Sequence, residues 1–173
     1  MTAYTQRRYL KYTASQLFDL VADVERYPQF LPWVTEARIR YRQDHTILVD
    51  MTMRLGPLRK RFSTVGLLHR PNRIDISSYD PLFDRFEQRW NFEPATDGGT
   101  NVEYHVHFKF RSRVLQMLTA KSFADRAMTM MSAFERQARR LYGVASSPGP
   151  DHSRQIRVTS ILRSGIRSRP HPR

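Results

Sequence analysis

The chain contains no cysteine. Disulfide staples, thiol nucleophiles and cysteine-ligated zinc are excluded together, and a reducing compartment is compatible with the sequence. Glycine is scarce as well: the seven glycines build no phosphate loop, no dinucleotide-binding pattern and no Gly-x-Ser-x-Gly nucleophile turn. No stretch approaches the ~18 uninterrupted apolar residues of a membrane span. The opening MTAYTQRRYLKYTASQ lacks the apolar run of a signal peptide. The expectation is a soluble or peripheral, cytoplasmic protein. Acidic residues are also few, 16 against 29 Lys and Arg, which leaves a net charge of +13. Such an excess favours an anionic partner, whether nucleic acid, the ribosome or an anionic membrane surface.

What is present suffices for one domain. A chain of 173 residues with 40% hydrophobic and 12% aromatic content can bury a core of ordinary size. The composition shifts after Gly143, where Pro, Gly, Ser and Arg arrive without a sustained period. Residues 1–143 are expected to fold and residues 144–173 to form a flexible basic tail. The tail holds six arginines against one acid, Asp151, so +5 of the +13 lies there and +8 remains on the body.

Along the body, TASQLFDLVADVERY carries Leu17, Phe18, Val21, Val24 and Tyr27 at helical spacing, with Thr13 or Ser15 placed as N-cap. The stretch YPQFLPW follows, and Pro28 and Pro32 are expected to end this helical segment with at most one further turn. From Glu36 to about Arg111 the period becomes two. Turn signals at 43–45, Gly56-Pro57, Pro71-Asn72, Asp80-Pro81 and 97–99 separate the runs. In NVEYHVHFKFR, the residues Val102, Tyr104, Val106, Phe108 and Phe110 share one face and Glu103, His105, His107, Lys109 and Arg111 the other. Similarly, Phe86, Gln88, Trp90 and Phe92 align, as do Ile47, Val49, Met51, Met53 and Leu55. The last element is a long amphipathic helix with Phe123, Ala127, Met130, Met131, Phe134, Ala138 and Leu141 in its stripe. Lys121, Asp125, Ser132, Arg136 and Arg139 lie opposite, and Gly143 stops it. The order of strand, short helices, strands and long helix predicts an α+β fold whose curved antiparallel sheet wraps the final helix.

Chemistry-bearing clusters are sparse. Glu103, His105 and His107 share a strand face, but that face is wet and carries Lys109 and Arg111, which oppose a cation, so no metal site is expected. No acid/base pair is placed to face inward. The Met and aromatic interior, Met51, Met53, Trp90, Phe92, Phe108 and Phe110 facing Met130, Met131 and Phe134, is either a close-packed core or the lining of a cavity for a long apolar ligand. The stretch LGPLRKRFS joins Leu58 to Arg59, Lys60 and Arg61, a combination suited to a membrane interface, to RNA phosphates or to a plain solvated edge.

The segments LFDLVADVERYPQFLPWV (17–34), FEQRWNFEP (86–94) and FKFRSRVLQMLTAKSFADRAMTMMSAFERQARRLYG (108–143) carry a resemblance. In their order and spacing, over roughly residues 4–143, the chain resembles the START-like helix-grip proteins of the coenzyme Q-binding and RatA-type ribosome association toxin group, within the polyketide cyclase/dehydrase superfamily. The resemblance implies a curved sheet gripping the C-terminal helix, two short helices after the first strand, and an apolar tunnel. In the coenzyme Q branch the tunnel holds a polyprenyl quinone, and the protein supports respiration as a carrier without catalysis. In the toxin branch the protein contacts the large ribosomal subunit and blocks subunit association. The family's strand-motif tryptophan maps to Trp90 and its Pro-Trp lip to Pro32 and Trp33, with Phe30 and Leu31 beside the tunnel mouth; the inward-facing Met51, Met53, Phe92, Phe108, Phe110, Met130 and Phe134 complete the expected lining. Many relatives carry cysteine after the Pro-Trp pair; Val34 stands here, so no thiol role transfers. The resulting expectation is a non-enzymatic binder of ubiquinone or a related polyprenyl lipid, peripherally associated with the inner membrane. Its alternative is a ribosome-directed protein.

Overall fold

The computed structural model describes residues 2–144, apart from the side chains of residues 120, 123 and 124. The tail expected from residue 144 onward therefore lies, beyond Val144, outside the described residues. The chain begins with β1 (Thr2–Leu10), α1 (Ala14–Ala22), a 3₁₀ turn (Val24–Arg26) and α2 (Tyr27–Phe30). Six strands follow: β2 (Val34–Gln43), β3 (Thr46–Leu55), β4 (Leu58–His69), β5 (Arg73–Ser77), β6 (Phe83–Pro94) and β7 (Thr100–Phe110). The chain then enters α3 (Arg113–Tyr142). Every turn signal read from the sequence falls between two of these strands.

The sheet order is β1-β7-β6-β5-β4-β3-β2, and every neighbouring pair is antiparallel. Strands β2 to β7 form a meander, so β1 against β7 is the one pairing between distant parts of the chain. Register shifts in β2 after Val34 and after Ile39, and in β6 after Phe83, insert unpaired residues that bend the strands. The expected α+β helix-grip architecture is the one observed.

The first helix is shorter than its periodicity predicts. Thr13 caps it reciprocally, its hydroxyl accepting from the Gln16 amide while Gln16 Oε1 accepts from the Thr13 amide. It ends at Ala22, because Asp23 leaves the helical region at φ −83°, ψ 62°. Pro28 therefore does not end a helix. It sits in the first turn of α2, where its missing donor costs nothing and its fixed φ suits the helix. The strand run also starts two residues earlier than expected, at Val34.

Ser112 caps α3 through the Leu115 amide, and Gly143 closes it at φ 77°, a left-handed value that disfavours other residues. The stripe holds at Ala127, Met131, Phe134 and Ala138, all buried. It fails at Leu141, which is 45% exposed, and at Ser132, which accepts a hydrogen bond from Arg8 at 3.1 Å instead of facing water. Arg8 also pairs with Glu135 at 2.7 Å, tying β1 to the helix. The far end of α3 is latched to the start of α1. Tyr12 Oη donates to the Gly143 carbonyl at 2.9 Å and Tyr142 Oη donates to the Gln16 carbonyl at 3.1 Å.

Candidate functional site

Helix α3 rests on β1 and β7 and touches β3, with α1 and α2 against its flank. On one side, aromatic rings fill the space. Trp90 meets Tyr104 at a centroid separation of 4.5 Å and Phe134 at 5.1 Å, and Phe134 is met in turn by Phe30 at 5.1 Å and Tyr27 at 5.4 Å. On the other side a cavity opens between α3 and the concave face of β2 to β6, walled by residues such as Val49, Met51, Met53, Thr64, Ile74 and Ile76. Gly66 on β4 contributes by absence: a Cβ there would stand 2.9 Å from Ile47 Cγ1 on the neighbouring strand. The cavity offers about 60 Å³ to the centres of water molecules, several times the ~10–15 Å³ that one water needs. Half-exposed wall residues, among them Trp33, Met51, Gln88 and Met130, bring its margin toward solvent.

Of the residues assigned to tunnel and lip, Leu31, Trp33, Met51, Met53 and Met130 line this cavity. Phe30, Pro32, Trp90, Phe92, Phe108, Phe110 and Phe134 do not, which corrects the expected lining. Phe92 packs against Phe18 at 5.9 Å near one end of the β6–β7 pair, and at the other end Phe110 stacks on Phe83 at 5.1 Å and meets Phe108 at 5.7 Å, so both ends are solid core. Pro32 is exposed in the turn between α2 and β2. The YPQFLPW stretch is thus divided: Tyr27 and Leu31 point in and are buried, Trp33 is half-buried at the cavity, and the two prolines face out.

The wall is apolar except for a few groups. Tyr27 Oη donates to the Val21 carbonyl at 2.5 Å, and burial pushes the pKa of both Tyr27 and Tyr104 upward, so neither phenol is a base near neutrality. Thr64 and Gln88 add a hydroxyl and an amide. Arg126 on α3 brings a guanidinium, with its pKa lowered by desolvation. Among the described residues no carboxylate or imidazole lines the cavity. Such a wall can hold and orient a ligand. Arg126 escaped the sequence reading, although its place four residues before Met130 sets it on the same helix flank.

The outer sheet face is covered by ion pairs. Glu103 is held by Arg7 and by Asn91 at 3.3 Å, and His105 Nδ1 lies 2.7 Å from the Thr5 hydroxyl. Asp50 is buried. Hydrogen bonds from Ser63 at 2.7 Å, Arg61 at 2.8 Å and Arg40 at 3.3 Å hold its carboxyl down to about 2. The hairpin cations do not act together. Alternation sends Arg59 and Arg61 outward to pair with Glu36 at 2.7 Å and Asp50 at 2.8 Å. Leu58 and Lys60 turn the other way, into a cleft shared with Leu82, Arg111, Val114 and Leu118. Beside that cleft the first turns of α3 expose Val114, Met117 (83% exposed) and Leu118.

Residues 10–135 match the family described as polyketide cyclase / dehydrase and lipid transport. The chain is 29% identical over 144 residues to the ribosome association toxin RatA of Pseudomonas aeruginosa, covering 83% of this chain and all of that protein. It is 26% identical over 149 residues to the mitochondrial coenzyme Q-binding protein COQ10 homolog B of Xenopus laevis, covering 84% of this chain and 61% of the other. Among solved structures, the 18 kDa protein CC1736 of Caulobacter crescentus superposes with a TM-score of 0.66 at 32% identity, over 83% of this chain and 99% of that one.

Proposed function

Because the chain belongs to the polyketide cyclase/dehydrase and lipid transport family, we propose that it binds ubiquinone or a related polyprenyl lipid in the cavity beside α3. It acts as a carrier in support of respiratory electron transport, without chemistry of its own, in the cytoplasm and at the inner membrane. The observation that carries this reading is the apolar cavity itself, set where the helix and the sheet part company and walled without an acid or base. Apolar surface costs ~25 cal/mol per Å² to expose to water, so a carrier of a long lipid needs such a lining. The resting cavity is too small for an isoprenoid chain. Loading therefore widens it, and Met51 and Met130, unbranched and half-exposed at its margin, are side chains that can turn aside.

Docking on an anionic bilayer belongs to the same reading. Exposed Val114, Met117 and Leu118, with Arg111, Arg113 and Lys121 around them, combine apolar contact with positive charge at one end of α3. The test is mass spectrometry of a gentle organic extract of protein produced in a quinone-making host. A polyprenyl lipid at a substantial fraction of the protein concentration is expected; lipid-free extracts overturn the reading.

A second reading is favoured by the full-length match to a protein named a ribosome association toxin and by the net charge of +13. It expects salt-sensitive co-sedimentation with the large subunit. The pairing of Arg59, Arg61, Arg85, Arg89 and Lys109 with carboxylates on the outer sheet face leaves less free positive charge there than the composition suggests, which ranks it second. Absence from the large-subunit fraction at low salt removes it.

A further inference from the structure

Two hydrogen-bond donors on the cavity wall lack a partner. Arg126 Nη1 and Trp33 Nε1 are both enclosed, and neither has a hydrogen-bond partner among the described residues. Leaving a buried donor unmade is unfavourable, more so when it belongs to a charged group. Guanidinium and indole nitrogens only donate. Whatever completes them brings acceptor oxygens. Arg126 makes no ion pair among the described residues, and the exposed carboxylate of its neighbour Asp125 offsets the desolvation only in part. Every other wall residue is uncharged. The site thus presents a half-buried guanidinium with one enclosed donor, and a second enclosed donor on Trp33, in an otherwise apolar space.

We propose that the cavity selects an amphiphile whose head group is an ionised carboxylate, seated on Arg126 with Trp33 Nε1 as second donor and with its apolar chain along Met51, Met53 and Val49. The inference rests on the reading of the cavity as a lipid site and departs from it in the head group, an acid in place of the quinone. A neutral carbonyl, as in a quinone, supplies an acceptor alone. A carboxylate supplies two acceptor oxygens and the missing charge, the combination that pairs most strongly with a guanidinium. The same argument explains why a cation lies on this wall at all, since a filled core would exclude it.

The experiment compares oleate, oleyl alcohol and a short-chain ubiquinone by titration calorimetry at pH 8 on the full chain, in the native protein, Arg126→Met and Trp33→Phe. Native protein is expected to bind oleate at least about tenfold more tightly than oleyl alcohol. In Arg126→Met that preference should fall below about twofold with alcohol affinity unchanged, and in Trp33→Phe oleate should weaken by about threefold. Removing Arg126 breaks no side-chain hydrogen bond or ion pair among the described residues, so thermal stability without ligand should hold or rise; a structural arginine would lower it. Equal affinity for acid and alcohol in the native protein, or a preference that survives Arg126→Met, overturns the head-group assignment while leaving lipid binding intact. Failure of all three ligands to bind overturns the lipid-binding reading along with it.

Discussion

The indole of Trp90 meets the ring of Phe134 edge-on at 5.1 Å, and this contact lies on the flank of α3 that aromatic rings fill. Both residues are almost fully buried, so each holds the helix to the sheet by large apolar area and by ring geometry together. Phe134→Ala should lower stability by about 3–5 kcal/mol, the usual cost of emptying a buried aromatic site. Chemical denaturation measures it, and a loss below about 1 kcal/mol would show that the ring is not clamped as described.

On the hollow flank the opposite holds. Ala127 is buried and borders the cavity, so Ala127→Met grows into space that is already vacant. Overpacking costs about 1–3 kcal/mol where no room exists; here the change should stay under about 1 kcal/mol. The same variant should no longer yield lipid on extraction. Retained lipid at native stoichiometry would place the ligand elsewhere.

Asp50 is a pH-sensitive strut in the β2–β3–β4 face. Its folded pKa of about 2 lies below the ordinary 3.8, so the stabilisation is complete above about pH 4 and is lost as the pH falls toward 2. Asp50→Asn should cost about 1.5–3 kcal/mol at pH 7, since it weakens hydrogen bonds made to a charged group, and should flatten the decline of stability between pH 4 and pH 2. Denaturation midpoints across that range provide the check; parallel curves for the two proteins would exclude the role.

Membrane docking through the exposed start of α3 predicts that Met117→Ser with Leu118→Ser weakens binding to vesicles containing phosphatidylglycerol by about tenfold, because apolar insertion is lost. Raising the salt should weaken the native protein as well, by screening its cations. Vesicle co-sedimentation reads both effects. An unchanged bound fraction for the double variant would remove this surface from the proposal.

Much of the fold was legible because its signals are local. Alternation in β6 and β7, the five turn signals and the stripe of α3 each predict an element from residues that touch one another, and each is present. The helix break at Asp23 was hidden, because periodicity continues through Val24 and Tyr27 although the backbone does not. The cavity was half legible. Strand alternation correctly turned Met51, Met53, Trp90 and Phe92 inward, but facing inward does not separate a lined space from a filled one. That distinction depends on how far α3 stands from each strand, which arises from packing between distant segments. Arg126 and Asp50 were passed over for a related reason: charged residues among other charges read as solvated, and only tertiary contacts enclose Asp50 and the Nη1 end of Arg126.

The Tyr12, Gln16 and Gly143 contacts support one end of α3. Its 30 residues span roughly 45 Å at the ordinary helical rise, and the other end is held as well, where Gln116 Oε1 accepts from the Phe110 amide at 2.9 Å and Leu115 is buried. The helix is thus a beam supported at both ends, with Val114, Met117 and Leu118 projecting beside the second support. The cavity lies along the beam between these supports, so a force applied to the projecting residues reaches the cavity wall by bending the span.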